Sequence, residues 1–329
     1  MNNWQTFFKH DPIKPLLASN INAIIYFTKK DLLEEKVAPI KTLWEEKPAQ
    51  SIIRRQLANG SWKYPNPKAG LRSATNDNRL EKYRQLGFLV EKYGFNRKHI
   101  SIQKTANYLL SFQTKEGDIR GIYGNQYTPN YAAAITKLLV KAGYEKDARI
   151  IKMYEWLLEC RQNDSGWALP FRKEKTTLNA IQQPKTIAFD PTKPSSHLIT
   201  GIVLRALAAH HIYRKSSAAK QAMELLISRF FQRDKYIDRQ AVEYWTRFAY
   251  PLWQTEILSA LDSISKINPK NTEPNVEKAL AWFQSHQNNN GLFNAKTTMG
   301  NQQESSFWIS LAICRVIKRI IEANPRLLT

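Results

Sequence analysis

Along this chain apolar positions recur at intervals of three and four, and strict alternation is nearly absent, so the pattern predicts helices throughout. Met153, Trp156, Leu157 and Cys160 are one example of such a face. Helices that end in a marked turn are predicted over 39–57, 98–113, 146–162, 216–232 and 274–287. Helices that follow a turn are predicted over 79–93, 130–142, 195–213, 250–266 and 303–323, and an extra helix near 20–36 precedes them all. Pro129, Pro251 and Pro274 stand at expected first turns, where a missing N–H costs nothing. Gly94 and Gly143 stand at expected C-terminal stops.

The turns themselves repeat. A Gln is followed four residues later by Gly and then by a bulky residue in Gln56-Leu-Ala-Asn-Gly60-Ser-Trp62 and Gln113-Thr-Lys-Glu-Gly117-Asp-Ile119. The pattern returns in Gln162-Asn-Asp-Ser-Gly166-Trp167 and Gln287-Asn-Asn-Asn-Gly291-Leu-Phe293, with a degenerate copy at Gln232-Arg-Asp-Lys-Tyr236. Copies fall roughly 50–70 residues apart, the length of a two-helix repeat. The helices after each turn are richer in apolar and small residues, as in Tyr131-Ala-Ala-Ala-Ile135 and Gly201-Ile-Val-Leu204, and suit an inner layer. Stacked hairpins of this kind form an open solenoid or close into a ring.

Composition narrows the class of protein. A 43% hydrophobic fraction supplies a large core and argues against disorder. The N-terminal stretch lacks the pattern of a signal peptide, and apolar runs such as 21–27 are too short to span a bilayer. Cys160 and Cys314 have no CxxC partner, so neither a metal knuckle nor a disulfide framework is expected, and no cofactor is implied. The expected location is cytoplasmic, with an anionic membrane surface as a peripheral partner. Forty-nine basic residues against twenty-eight acidic ones give a net charge of +21, which bears on partners and leaves the fold undetermined.

The Gln-xxx-Gly-x-Trp pattern resembles the QW repeat of squalene–hopene and oxidosqualene cyclases and the related repeat of protein prenyltransferase β subunits. Gln56–Trp62 fits it fully, Gln162–Trp167 lacks one spacer, and the copies at Gln113 and Gln287 carry Ile and Phe for Trp. The resemblance covers about 40–320 and implies an all-α fold, an α/α toroid that forms a complete or incomplete α6/α6 barrel. It implies residues 1–38 as an N-terminal extension with one helix, and 39–329 as a single toroid domain of about five hairpins. It further implies a central aromatic-lined cavity that holds an isoprenoid chain. The DxDD acid motif of class II cyclases is absent, and the last inner helix begins Glu304-Ser-Ser-Phe-Trp308 without the prenyltransferase zinc ligands.

Candidate site residues follow from this topology. The long connections 63–78, 114–128, 168–194, 233–249 and 292–302 all gather at one end of the ring. Loop 168–194 carries Arg172, Lys173, Lys175, Lys185 and Lys193 against Glu174 and Asp190, a net of about +3, beside inner-helix N-termini that favour anions. Arg172 and Lys173 are therefore candidate anion ligands, with the bland alternative of solvated loop residues. His197, in a first helical turn, is a candidate neutral base or a core histidine. Asp190, Glu256 and Glu304 are candidate general acids if burial keeps a carboxyl protonated, with Glu256 and Glu304 alternatively caps or partners of Arg247 or Arg315. Tyr127, Tyr131, Tyr244, Trp245, Tyr250, Trp253, Phe307 and Trp308 fall near inner-helix starts, where aromatic faces line a pocket or fill the core, and Arg247 lies among them.

Two functional readings stand on the sequence. One is a toroid that binds, and cyclises or transfers, an isoprenoid or other apolar, lipid-like chain with an anionic or diphosphate head. The other is a non-catalytic basic repeat protein that binds a polyanion such as nucleic acid or acidic polysaccharide. A dry, aromatic interior favours the first, and a filled or narrowed centre the second.

Overall fold

The computed structural model describes residues 3–63, 74–120, 123–171, 185–236, 240–251, 254–293 and 302–328. Twelve α-helices occur among them: α1 (Ile13–Leu17), α2 (Asn22–Phe27), α3 (Lys47–Arg54), α4 (Ala74–Tyr93), α5 (Ile100–Leu110) and α6 (Pro129–Leu139), then α7 (Ala148–Glu159), α8 (His197–Ala209), α9 (Ser217–Ser228), α10 (Ile257–Ile267), α11 (Pro274–Ser285) and α12 (Gln302–Ala323). No strand forms among the described residues; isolated bridges join Gln113 to Ile119 and Gln287 to Phe293 across two of the repeated turns.

The even-numbered helices are the inner layer. α4 packs on α6, α6 on α8, α8 on α10 and α10 on α12, and the odd-numbered helices lie outside them. Composition explains the division. α8 is buried on all sides from Ile199 to Ala208, with Gly201 letting Thr255 approach its backbone. In α7 only a stripe of Ile150, Met153, Tyr154, Trp156 and Leu157 is buried, as befits a helix with one wet face.

The turns at Gln56 and Gln113 each fasten one outer helix to the next. Gln56 Nε2 donates to Gly60 O within its own turn and to Ser101 O at the start of α5, 2.9 Å away. Gln113 Nε2 does the same with Gly117 O and with Arg149 O of α7, at 2.9 and 2.8 Å. Gly60 has φ +85°, and a Cβ there would lie 2.4 Å from the Lys104 carbonyl carbon, so both conformation and clearance demand glycine. Trp62 Nε1 donates to Ile52 O and Trp167 Nε1 to Leu157 O, each ten residues back, so the copies register on the tryptophan. In the Gln162 copy the left-handed residue is accordingly Ser165 (φ 75°), and the Gln162 side chain turns to Asp190 O and Lys193 O. The missing spacer thus moves the glutamine one place out of register while the Trp keeps its seat.

The last turn closes the ring. Gln287 Nε2 donates to Gly291 O and to His10 O at 2.7 Å, while His10 N donates to Gln287 Oε1. A Cβ on Gly291 would lie 2.2 Å from Asp11 O. The segment before α1 therefore sits where the next outer helix would start. α2 and the π turn after it, Thr28–Leu32, pack on α12 as a short inner helix, and Arg315 and Lys318 of α12 bind Asp31 and Glu34. α12 reaches α4 on its other side through Lys92 and Glu304. Residues 13–32 thus form the first of six hairpins, and the chain is an α/α toroid.

Candidate functional site

Inner helices of a closed ring point one side chain per turn into the bore. At their C-terminal ends these side chains surround a cavity of about 620 Å³. Its wall includes Glu91 of α4, Lys137 of α6, Lys141 just beyond it, Arg205 of α8, Asp262 and Lys266 of α10, and Arg315 and Arg319 of α12. Three of these helices present their charges at i, i+4 spacing, which places both on one face.

Most of these charges are paired. Glu91 receives Lys137 and, at 2.5 Å, Lys141. Asp262 receives Lys266 at 2.6 Å and Arg319 at 2.7 Å, and Arg319 Nε also donates to Ser265 Oγ. Arg315 binds Asp31 at 2.5 Å. Burial alone would raise both central carboxyls, but the paired cations hold Glu91 and Asp262 well below the usual carboxylate range. Burial lowers Lys137 to about 8, with Lys141 and Arg205 adding to the effect and Glu91 opposing it.

Arg205 differs from the other cations. It is 6% exposed, makes no hydrogen bond or ion pair among the described residues, and leaves Nε buried without a partner. Burial lowers its pKa, against the longer-range pull of Tyr83, Glu256, Asp262 and Glu91. With Arg205 counted, six cations (Lys137, Lys141, Arg205, Lys266, Arg315 and Arg319) stand against three carboxylates (Glu91, Asp262 and Asp31). A buried guanidinium lacking a counterion is expensive, and the observed arrangement is one that an anion would complete.

The expected dry, aromatic interior is not what this cavity presents. Phe27 and Tyr250 are its aromatic members, and Ile40, Val90, Val140 and Ala312 supply apolar strips between the charges. Tyr250 stacks on Trp308 with ring centroids 5.1 Å apart and donates from Oη to Glu91 O at 3.3 Å. Among the described residues it is the one sequence-derived candidate in the cavity wall.

The other candidates lie elsewhere. Asp190 is exposed, and its hydrogen bonds with Thr192 keep its carboxyl below the usual value. His197 is buried, with Nε2 3.4 Å from Asp234 Oδ2 and its ring 4.7 Å from that of Trp245, whose Nε1 donates to Gln232 O. Glu256 caps α10 by accepting from Leu258 N and Ser259 N, and burial pushes its carboxyl up to about 7. Glu304 binds Lys92 at 2.6 Å and accepts from Trp308 Nε1, and with Phe307 it borders a second cavity of about 390 Å³ beside Tyr93 and Glu46. Tyr127 lies on Phe189 and donates to Glu116, with Arg120 over its ring. Tyr131 is buried in α6, and Arg247 lies over Tyr244 near the surface. Arg172, Lys173 and Trp253 lie outside the described residues. The bore cations escaped the sequence reading, although Lys137/Lys141, Asp262/Lys266 and Arg315/Arg319 share one spacing on three inner helices.

An α/α toroid with a charged cavity at the C-terminal ends of its inner helices is the architecture; its lineage comes from comparison. The model of the squalene-hopene cyclase C-terminal domain matches residues 133–306, just over half of the chain, and the protein belongs to that family. Among solved structures it is similar to the type II terpene cyclase MstE from Scytonema. A variant of that enzyme in complex with geranylgeranyl dihydroxybenzoate, its substrate, is 10% identical with a TM-score of 0.42, over 98% of this chain and 88% of that one. A second, apo variant is 10% identical with a TM-score of 0.40, over 95% and 99%. No curated protein matches the chain in sequence. Among the described residues no helix is long and apolar enough to cross a membrane, and no cluster of three or more His, Cys, Asp or Glu could hold a metal ion.

Proposed function

We propose that this protein binds a small anion-bearing molecule in the charged cavity at the C-terminal ends of its inner helices. The observation that carries the reading is Arg205, a buried cation without a hydrogen-bond or ion-pair partner among the described residues, in a wall where cations outnumber carboxylates. The family's isoprenoid chemistry enters here in part: an anionic head has a counter-charge at Arg205, while an apolar chain has only narrow strips such as Phe27 and Val90. Tyr250 is the aromatic candidate with a place beside such a ligand.

A thermal-shift panel at two salt concentrations tests this, because a ligand that binds the native state raises Tm by mass action. Inorganic pyrophosphate and farnesyl diphosphate are expected to stabilise the protein, farnesol and short duplex DNA are not, and Arg205→Gln is expected to abolish the shift. Absence of a shift with either diphosphate, or one unchanged in Arg205→Gln, overturns the proposal.

A further inference from the structure

Resting on that reading, we infer that the ligand is a compact, hydrophilic polyanion carrying two or more negative charges, held by its oxyanion groups and without an extended hydrocarbon chain. The first support is the charge count. Six cations and three carboxylates leave an excess of three, and the remaining charged members of the lining, Lys30 and Arg214 with Glu145, do not reduce it. Each interior carboxylate is already engaged, Glu91 and Asp262 with two cations apiece and Asp31 with Arg315. A single negative charge would satisfy Arg205 and leave the remainder of the excess in place.

The second support is shape. Among the described residues the cavity wall runs from Val90 to Gly94 at the end of α4, from Arg205 to Ala209 on α8, from Asp262 to Lys266 on α10 and from Ala312 to Arg319 on α12, so it takes up about two turns of an inner helix at most. Two helical turns span about 11 Å, which is short for an extended prenyl chain of fifteen carbons. The third support is solvation. A hydrocarbon filling this volume would strip water from charged groups and return no hydrogen bonds, whereas a phosphate or polycarboxylate accepts from guanidinium and ammonium donors on several sides. Arg205 offers a planar fork suited to two oxygens of one oxyanion, with Lys137, Lys141 and Lys266 as point charges around it.

Calorimetric titration of the full chain with five probes tests the inference: acetate, tricarballylate, inorganic pyrophosphate, farnesyl diphosphate and farnesol. Pyrophosphate or tricarballylate is expected to bind at least about tenfold tighter than acetate, as added charge in a low-dielectric cavity demands. The preferred one of the two assigns the head as phosphate-type or carboxylate-type. Farnesyl diphosphate is expected within about threefold of pyrophosphate, since its chain finds little dry surface. If farnesyl diphosphate binds about a hundredfold tighter than pyrophosphate, the compact-ligand inference is wrong while the anion reading stands. If acetate matches the polyanions, the charge inference fails. If no anion binds, the anion reading itself fails. Arg205→Gln is expected to lose the preference for polyanions by about tenfold or more while its ligand-free Tm stays equal or rises, because the change removes an uncompensated buried charge. Retained preference in that variant overturns the assignment of Arg205, and a folded Arg205→Lys with partly restored affinity supports it.

Discussion

The two ends of the ring are built on opposite principles. At the end where inner helices begin, turns and tryptophans are fixed by directed hydrogen bonds, and charges such as Glu256 are spent on backbone caps. At the end where inner helices finish, the cavity wall is joined by ion pairs, and one cation, Arg205, has no counterpart among the described residues. Cations at helix C-termini are favoured by the backbone dipoles, so Lys137 and Lys266 have a structural role there as well as an electrostatic one. The contrast teaches that one rim can be held by directed hydrogen bonds and the other by ion pairs whose charge pattern also serves binding.

The largest effect should come from Glu91→Gln. It removes the buried carboxylate shared by the partly buried Lys137 and the exposed Lys141, and urea unfolding should show a loss of about 3–5 kcal/mol, the cost of breaking a pair at a buried carboxylate. A loss below about 1 kcal/mol would mean that water already solvates the pair, and the contrast between the ends would shrink. Gly291→Ala strikes the other rim, at a residue with φ +81° whose added methyl meets Asp11 O, and should cost about 2–4 kcal/mol in the same assay. Near-neutral behaviour would show that the closure at His10 is dispensable.

The ends should also titrate in opposite senses. Glu256 has a folded pKa of about 7, above its ordinary 4.5, so its contribution is fully present below 4.5 and is lost as pH rises through 7. Lys137 has a folded pKa of about 8, below its ordinary 10.5, so the folded state binds fewer protons in that window and stability rises from pH 8 toward 10.5. Tm profiles of Glu256→Gln and Lys137→Met should each flatten one of the two limbs; a variant that leaves its limb unchanged assigns that limb to another group. The smallest effect belongs to Tyr250→Phe, which gives up a long hydrogen bond to Glu91 O and should cost about 0.5–1 kcal/mol by thermal unfolding.

Much of the ring was readable in the sequence because its signals are local. The spacing of Gln56, Gly60 and Trp62 states a turn, and the burial difference between α7 and α8 follows from residue type alone. The bore was not readable for a physical reason. A Lys137/Lys141 or Arg315/Arg319 pair has the same spacing whether it faces water or the axis of a ring, so charges that converge in space look scattered along the chain. The first hairpin was hidden because Gln287 and Gly291 sit at one end of the chain, while the residues they grip, His10 and Asp11, sit at the other. Ser165 shows the reverse difficulty: a tolerated left-handed serine let the glutamine slip while the architecture stayed intact.

That long-range clasp sets an order of events during synthesis. His10 and Gln287 are separated by 277 positions, so the segment around His10 waits for one synthesised much later before it finds its seat. Until then Trp4, Phe7 and Phe8, all buried in the finished ring, have only nascent chain or chaperones to cover them. The unfinished ring is therefore the aggregation-prone species, and slowed translation should prolong that exposure even where the completed protein is stable.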